Sequence, residues 1–126
     1  MRFVSVVLLC GILSTAALAE KKADKKAAGG SQASAAVLDK GKALFNLNCA
    51  ACHGEKGDGM GPAGAVMNPK PRNFAKDAFK QGDKFEDVVK SITTGVPGTA
   101  MVAYGHLSED DRKAMAHWVL SLKAKK

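Results

Sequence analysis

Two cysteines and a histidine stand together in the segment Cys49-Ala50-Ala51-Cys52-His53. This C-x-x-C-H spacing places both thiols on the first turn of a helix, where each can add across one vinyl group of the same porphyrin. The next residue, His53, then lies under the iron as its proximal ligand. The motif therefore predicts one covalently bound haem c, attached through thioethers to Cys49 and Cys52.

The same cysteine spacing also occurs in zinc sites and in redox-active dithiols. A zinc site needs a second pair of ligands, and the other histidines, His106 and His117, are eleven residues apart, far from zinc-finger spacing. A thioredoxin-like dithiol needs a βαβ pattern, and no alternating strand run surrounds the two cysteines. The adjacent histidine and an export signal upstream favour haem attachment.

The first 19 residues are organised like a secretory signal peptide. Arg2 gives the positive charge, residues 4–13 form the apolar run, and an Ala-Leu-Ala cleavage site ends at Ala19. We predict cleavage after Ala19 and a periplasmic protein. Two alternatives stay open: lipidation of Cys10, which lacks the small residue wanted before it, and retention as an anchor, although the apolar run is shorter than the ~20 residues of a spanning helix.

Residues 20–34 follow the signal and are charged or small, without one large apolar side chain. Such a stretch cannot bury enough surface to offset the entropy lost on ordering, so we predict a flexible Lys/Ala/Gly-rich tether. The remaining residues, 35–126, are predicted to form one monohaem domain. A domain of this size is small for a self-sufficient core, and a porphyrin supplies the missing apolar body.

Apolar periodicity predicts an all-α fold with helices over three ranges: 35–47, 84–94 and 108–122. Ser34 and Ser108 are the predicted N-caps of the first and last helices, and Asp83 is that of the middle one. Gly41 lies inside the first helix, where it costs about 1 kcal/mol relative to Ala. A close helix crossing explains this glycine. His117 falls on the polar face of the last helix and is predicted to be solvated.

Two loops rich in glycine or proline separate these helices, over residues 54–71 and 95–107. The first resembles a phosphate-binding loop only weakly, because no strand precedes it and no G-K-[ST] ends it. We predict instead a tight wrap around one haem edge. Within it, Pro69 or Pro71 is expected to present a backbone carbonyl to the ring of His53, fixing the imidazole.

Met101 is the candidate for the sixth iron ligand, because it lies in the second loop, well separated from His53. Two other methionines follow His53 in the first loop, and Met115 falls in the apolar stripe of the last helix, where methionine usually fills space. A thioether ligand favours ferrous iron and raises the reduction potential. Two alternatives stay open: His106, which would give a bis-histidine haem, and an open sixth position.

The order of these features resembles the class I cytochrome c family, especially its small bacterial periplasmic members. The resemblance covers most of the predicted domain: a first helix with Gly41 and Phe45, the haem motif directly after it, a Gly-Thr-Ala-Met loop ending at Met101, and Trp118 in the last helix. It implies three to four helices wrapped around one covalent haem. The N- and C-terminal helices are expected to cross, with Gly41 and Phe45 against Trp118.

The resemblance implies an electron-transfer protein whose haem iron cycles between Fe(II) and Fe(III), with His53 and Met101 as axial ligands and no catalytic constellation beyond the haem. Two alternative functions stay open. One is a gas- or peroxide-binding haem sensor or enzyme with a labile sixth ligand. The other is a cytochrome subunit of a larger oxidoreductase complex, tethered by residues 20–34.

The formal charge of +7 suggests redox partners with acidic docking surfaces. Five lysines are expected to surround the exposed haem edge: Lys42, Lys56, Lys70, Lys76 and Lys80. Nucleic acid is not an expected partner, because the lysines are not interleaved with aromatic residues. We predict a monomer that contacts membranes only through a partner complex or an uncleaved signal.

Overall fold

The computed structural model describes residues 33–123, which form four α-helices and one 3₁₀ turn without a strand between them. Their bounds are α1 Ala35–Asn48, α2 Ala50–His53, α3 Phe85–Thr94 and α4 Glu109–Lys123, with the 3₁₀ turn over Gly64–Val66. The predicted all-α fold is confirmed. The predicted signal peptide and most of the predicted tether lie outside the described residues. Among the described helices, none has the length and apolar character that crossing a membrane requires.

The helix starts agree with the predicted caps in two cases out of three. The Ser34 hydroxyl accepts the N–H of Val37 at 3.4 Å, and the Ser108 hydroxyl accepts the N–H of Asp111 at 3.1 Å. The prediction for Asp83 is wrong. The α3 N-cap is Lys84, whose N–H donates to Asp87, while the Asp83 carboxylate pairs with Lys123 at the end of α4.

α1 and α4 cross closely at Gly41, as the sequence predicts. A Cβ at this position would overlap the backbone carbonyl of Ala114 and lie 3.1 Å from the Trp118 Cβ. A salt bridge of 2.7 Å between Lys40 and Asp111 also joins the two helices. Only glycine permits this approach, so the crossing accounts for a residue that helix propensity disfavours.

The hydrophobic core lies where α1, α3 and α4 meet. Phe45 and Met115 are fully buried in it, so Met115 is a core residue as predicted. Trp118 is half-buried and packs against the same cluster. The ring of Phe74, from the loop after α2, meets Phe45 edge-to-face at 6.1 Å and so extends this core towards the haem motif.

The prediction that His117 is solvated is wrong. Its side chain is half-buried, and its ring centroid lies 4.3 Å from that of Phe85. Burial lowers the pKa of His117, since the charged form loses solvation there. The first residue of α3 covers this part of α4, a tertiary contact that the periodicity of α4 alone does not reveal.

We expect Gly41→Ala to lower the free energy of unfolding by about 1–3 kcal/mol, because the added methyl group forces α1 and α4 apart. Helix propensity alone would raise it by about 1 kcal/mol, so the sign of the change separates the two effects. Urea unfolding of the haem-loaded protein, followed by circular dichroism, measures it. Ala43→Gly, at an exposed position of α1, measures how much the difference in helix propensity between Ala and Gly alone changes the free energy of unfolding. A more stable Gly41→Ala protein would contradict the close crossing.

Candidate haem site

One cavity of about 300 Å³ brings together all four residues that the sequence predicts for the site. Cys49, Cys52, His53 and Met101 all line it, although Met101 is far from the others in sequence. We call this space the central cavity. Much of its wall is apolar, from α3, α4, the segment between α2 and α3, and the loop after α3: Phe74, Phe79, Val88, Ile92, Val96 and Val119.

The haem motif folds as one short turn directly after α1. The Cys49 N–H still donates to Phe45 in α1 at 2.7 Å, and the Cys49 carbonyl then accepts the N–H groups of Cys52 at 3.1 Å and His53 at 2.9 Å. These bonds begin α2 and hold both thiols and the imidazole on one turn. Both cysteines are free and half-buried. The predicted local geometry of the motif is thus present.

Burial raises the pKa of the Cys49 thiol to about 11, and the neighbouring Cys52 adds to the effect. At neutral pH this sulfur therefore stays a protonated thiol. Redox-active dithiols have the opposite property, since their attacking cysteine has a depressed pKa that supplies thiolate. The electrostatics of the turn disfavour the redox-dithiol alternative.

The imidazole of His53 is held from two sides. Its Nδ1 lies 3.3 Å from the backbone carbonyl of Arg72, and its ring stacks on Phe74 with centroids 4.6 Å apart. Burial lowers the pKa of His53, while the bond to Arg72 acts in the opposite direction. A neutral ring that donates from Nδ1 leaves the Nε2 lone pair for a metal.

The prediction that Pro69 or Pro71 supplies this carbonyl is wrong, because Arg72 supplies it. The Pro71 carbonyl instead faces Gly59, where an added Cβ would lie 2.5 Å from its oxygen. The next carbonyl along the chain, that of Arg72, lies within reach of His53. The path of the loop determines which backbone carbonyl reaches the His53 ring. The positions of the prolines in the sequence do not predict that path.

The glycine-rich loop packs against the haem-attachment turn. The Gly61 N–H donates to the Cys52 carbonyl at 3.2 Å, and a Cβ at Gly61 would overlap the carbonyls of Ala50 and Ala51. A Cβ at Gly64 would likewise overlap the Cys52 carbonyl. These glycines are thus explained by close backbone approach to α2.

The loop that carries Met101 is a compact turn fixed by its own backbone. Gly95 ends α3 with φ +73°, and a Cβ there would lie 2.7 Å from the Met101 carbonyl. The Met101 carbonyl accepts the N–H of Val96 at 3.2 Å, and the Met101 N–H donates to the Thr99 hydroxyl at 3.2 Å. These contacts hold Met101 half-buried at the cavity wall.

The structure separates the other candidate ligands. His106 is exposed and does not line the central cavity, so the bis-histidine alternative gains no support. Met60 is 81% exposed. Met67, which the sequence placed only in the first loop, does line the cavity. It is therefore the methionine against which Met101 must be tested.

Sequence reasoning missed several polar groups at the cavity. Tyr104 lines it and donates its hydroxyl to the Asn48 carbonyl at 2.7 Å. Burial is the main cause of the raised pKa of Tyr104, so the hydroxyl stays protonated and remains a donor at neutral pH. Gln81 and Ser91, joined by a 3.2 Å hydrogen bond, also line the cavity. The only sequence signal was the position of Tyr104, three residues after Met101.

These residues fit a haem. Two thiols, an imidazole and a thioether line one largely apolar space, which suits the porphyrin ring. Arg72 also lines the cavity, and its guanidinium suits a carboxylate of the propionates.

Two curated relatives show what kinds of protein the chain is similar to. The CcoP subunit of the cbb3-type cytochrome c oxidase of Azospirillum sp. (strain B510) is 36% identical over 98 residues, which cover 68% of this chain and 30% of that protein. The chloroplastic cytochrome c6 of Chlamydomonas reinhardtii is 36% identical over 110 residues, covering 83% of this chain and 68% of that protein. This chain thus spans less than a third of CcoP.

Two solved structures share the fold. A chain of the reducing HAO-like protein complex of Kuenenia stuttgartiensis superposes with a TM-score of 0.60 at 35% identity, over 68% of this chain and 41% of that one. Cytochrome c6 from the diatom Phaeodactylum tricornutum superposes with a TM-score of 0.50 at 26% identity, over 68% of this chain and 93% of that one. The small cytochrome c fold expected from the sequence is confirmed.

The family model described as cytochrome c matches residues 38–123, which run from α1 to the end of α4 and include the haem motif. The match spans most of the described residues and agrees with the cavity, the two free thiols and the held imidazole. The chain therefore belongs to the cytochrome c family, in which a covalently attached c-type haem transfers electrons.

Proposed function

We propose that this protein is a single-haem electron carrier of the periplasm, in which His53 and Met101 are the axial ligands of the iron. The observation that carries the proposal is the meeting of both motif thiols, His53 and Met101 at one apolar cavity. The relatives named cytochrome c6 support a carrier role. The signal-like sequence of residues 1–19 supports export.

Each proposed residue has a defined chemical role. The S–H groups of Cys49 and Cys52 would add across two vinyl groups, so that each sulfur gains a C–S bond and a hydrogen is added to the second carbon of each vinyl group. His53 would offer Nε2 to the iron. The Arg72 carbonyl fixes the orientation of the imidazole and increases its basicity through Nδ1.

Two fixed axial ligands suit a carrier better than a gas-binding protein. The compact turn from Gly95 to Met101 holds the Met101 backbone in place. A haem ligated there would accept or give one electron without exchanging a ligand. The apolar side chains of the cavity wall would limit the access of water to a bound haem. A sensor or peroxidase needs a labile sixth position, which this arrangement disfavours.

A second candidate is a cytochrome subunit of a larger oxidoreductase. The observation that favours it is that two of the similar proteins are a CcoP subunit and a chain of an HAO-like complex. Co-purification of the native protein with other redox subunits would distinguish a subunit from a diffusing carrier.

We expect the double variant Cys49→Ala/Cys52→Ala to lose covalent haem, because no thiol then remains in the motif. Haem staining after denaturing electrophoresis and intact mass spectrometry measure the attachment. Cys10→Ala is the matched control, since Cys10 lies in the predicted signal, and it should keep the haem. Covalent haem in the double variant would contradict these roles.

We expect Met101→Ala to abolish the charge-transfer band between methionine sulfur and ferric iron, and to open the ferrous haem to carbon monoxide. Absorption spectra of the oxidised and reduced protein, with and without carbon monoxide, test this. Met67→Ala is the matched control, because Met67 lines the same cavity and should leave the band intact. Loss of the band in Met67→Ala, or ready carbon monoxide binding by the wild type, would contradict ligation by Met101.

The structure divides the lysines predicted for partner docking. Lys70 and Lys80 line the central cavity. Lys42 lies over the Trp118 ring at 5.6 Å, and Lys56 lines a separate shallow groove. We therefore propose that acidic partners approach at Lys70 and Lys80.

Charge reversal tests this docking proposal with small redox reagents of opposite charge. At low ionic strength, Lys70→Glu/Lys80→Glu should slow electron transfer from anionic ferrocyanide by about tenfold, since it removes local attraction. The rate with cationic hexaammineruthenium(II) should rise, and both effects should shrink at high salt. Lys42→Glu/Lys56→Glu has the same net charge and should change the rates less. Equal effects of the two pairs would contradict a local docking site.

A further inference from the structure

The Tyr104 side chain connects two parts of the site that are distant in sequence. Its hydroxyl donates to the backbone carbonyl of Asn48 at 2.7 Å, across 56 positions of the chain. Asn48 is the last residue of α1 and directly precedes Cys49. The bond therefore joins the loop that carries Met101 to the start of the haem-attachment turn.

The Asn48 carbonyl is available because it lies at a helix end. The last carbonyls of an α-helix lack an intrahelical partner, and a buried one must be satisfied by another group. The Cys52 N–H, which would continue the α1 ladder to Asn48, donates to the Cys49 carbonyl instead. The Tyr104 hydroxyl takes the place of that missing donor.

Tyr104 is also fixed at its backbone. Its N–H donates to the Ile92 carbonyl of α3 at 2.9 Å, so one residue is bonded to α3 and to the end of α1. The ring lies between these two bonds, half-buried at the wall of the central cavity. Through these two bonds Tyr104 links α3 to the end of α1, and Asn48, Ile92 and Tyr104 all line the cavity.

The other hydrogen bonds near Met101 do not make this connection. Those of Val96 and Thr99 stay inside the loop, and the Gly105 carbonyl accepts a bond from Arg112 in α4. Val102, which follows Met101, is 62% exposed and contributes little packing. Within residues 33–123, the Tyr104 hydroxyl is thus the hydrogen-bonding group that ties this loop to the turn holding Cys49 and His53.

We propose that Tyr104 is a positioning residue whose hydroxyl holds the Met101 loop against the haem-attachment turn and thereby stabilises Met101 as the sixth ligand. This rests on the ligation proposed above. A thioether is a soft ligand and binds ferric iron weakly, so a competing ligand displaces it whenever the loop swings outward. The Tyr104–Asn48 bond opposes that outward movement.

The test compares Tyr104→Phe with Ser121→Ala in the haem-loaded ferric protein. Tyr104→Phe removes the hydroxyl and keeps the ring in the cavity wall. Ser121→Ala removes a hydroxyl bond of the same 2.7 Å length, from Ser121 to the Trp118 carbonyl inside α4, and Ser121 does not line the cavity. Imidazole is titrated into each protein, and the methionine-to-iron charge-transfer band reports displacement of the thioether. Urea unfolding is measured in parallel.

We expect imidazole to bind Tyr104→Phe about five- to tenfold more tightly than the wild type, which corresponds to the net loss of one hydrogen bond. Ser121→Ala should bind imidazole like the wild type, even where its unfolding midpoint falls. Unchanged imidazole affinity in Tyr104→Phe would overturn the positioning role, and so would an equal shift in Ser121→Ala.

The same spectra distinguish the positioning role of Tyr104 from the proposed ligation by Met101. A wild-type ferric protein without the methionine band would overturn ligation by Met101 and the positioning role with it. A wild-type protein with the band, together with an unaffected Tyr104→Phe variant, would overturn the role of Tyr104 alone. Carbon monoxide binding to the ferrous variants provides a second readout, in which Tyr104→Phe should bind more than Ser121→Ala.

Discussion

The close contact between Gly41 of α1 and the Ala114 backbone of α4 determines where the site lies. α1 ends one residue before Cys49, so the angle at which it crosses α4 also aims the haem-attachment turn. α4 in turn places Val119 at the cavity wall. A side chain at Gly41 would separate the helices, and the thiols would then move relative to the wall that the porphyrin contacts.

Two loops complete the site around these helices. The loop after α2 fixes the orientation of His53, and the loop after α3 carries Met101. The first loop returns after the glycine-rich wrap to place the Arg72 carbonyl on His53. The second places Met101 through a turn closed at Gly95 and is bonded to α1 by Tyr104. Hydrogen bonds to backbone carbonyls thus act at both ends of the proposed ligand axis, together with the stacking of His53 on Phe74.

Local patterns explain what the sequence could predict. The haem motif, the helices and the serine caps depend on spacing within a few residues, and Gly41 was informative because its cost in a helix required an explanation. The contacts that sequence reasoning missed depend on the path of the chain. The Arg72 carbonyl meets His53 while the Pro71 carbonyl lies against Gly59, and Phe85 covers His117 through the packing of α3 on α4.

In the proposed site Met101, rather than another methionine at the cavity, shares the iron with His53. The most direct measurement is a carbon–proton correlation spectrum of the ferrous haem protein labelled with ¹³C at the methionine methyl groups. Ligation by Met101 predicts one methyl signal that is shifted far upfield by the porphyrin ring current and is connected through sequential assignment to Met101. An upfield signal that belongs to Met67, or no such signal, would contradict it.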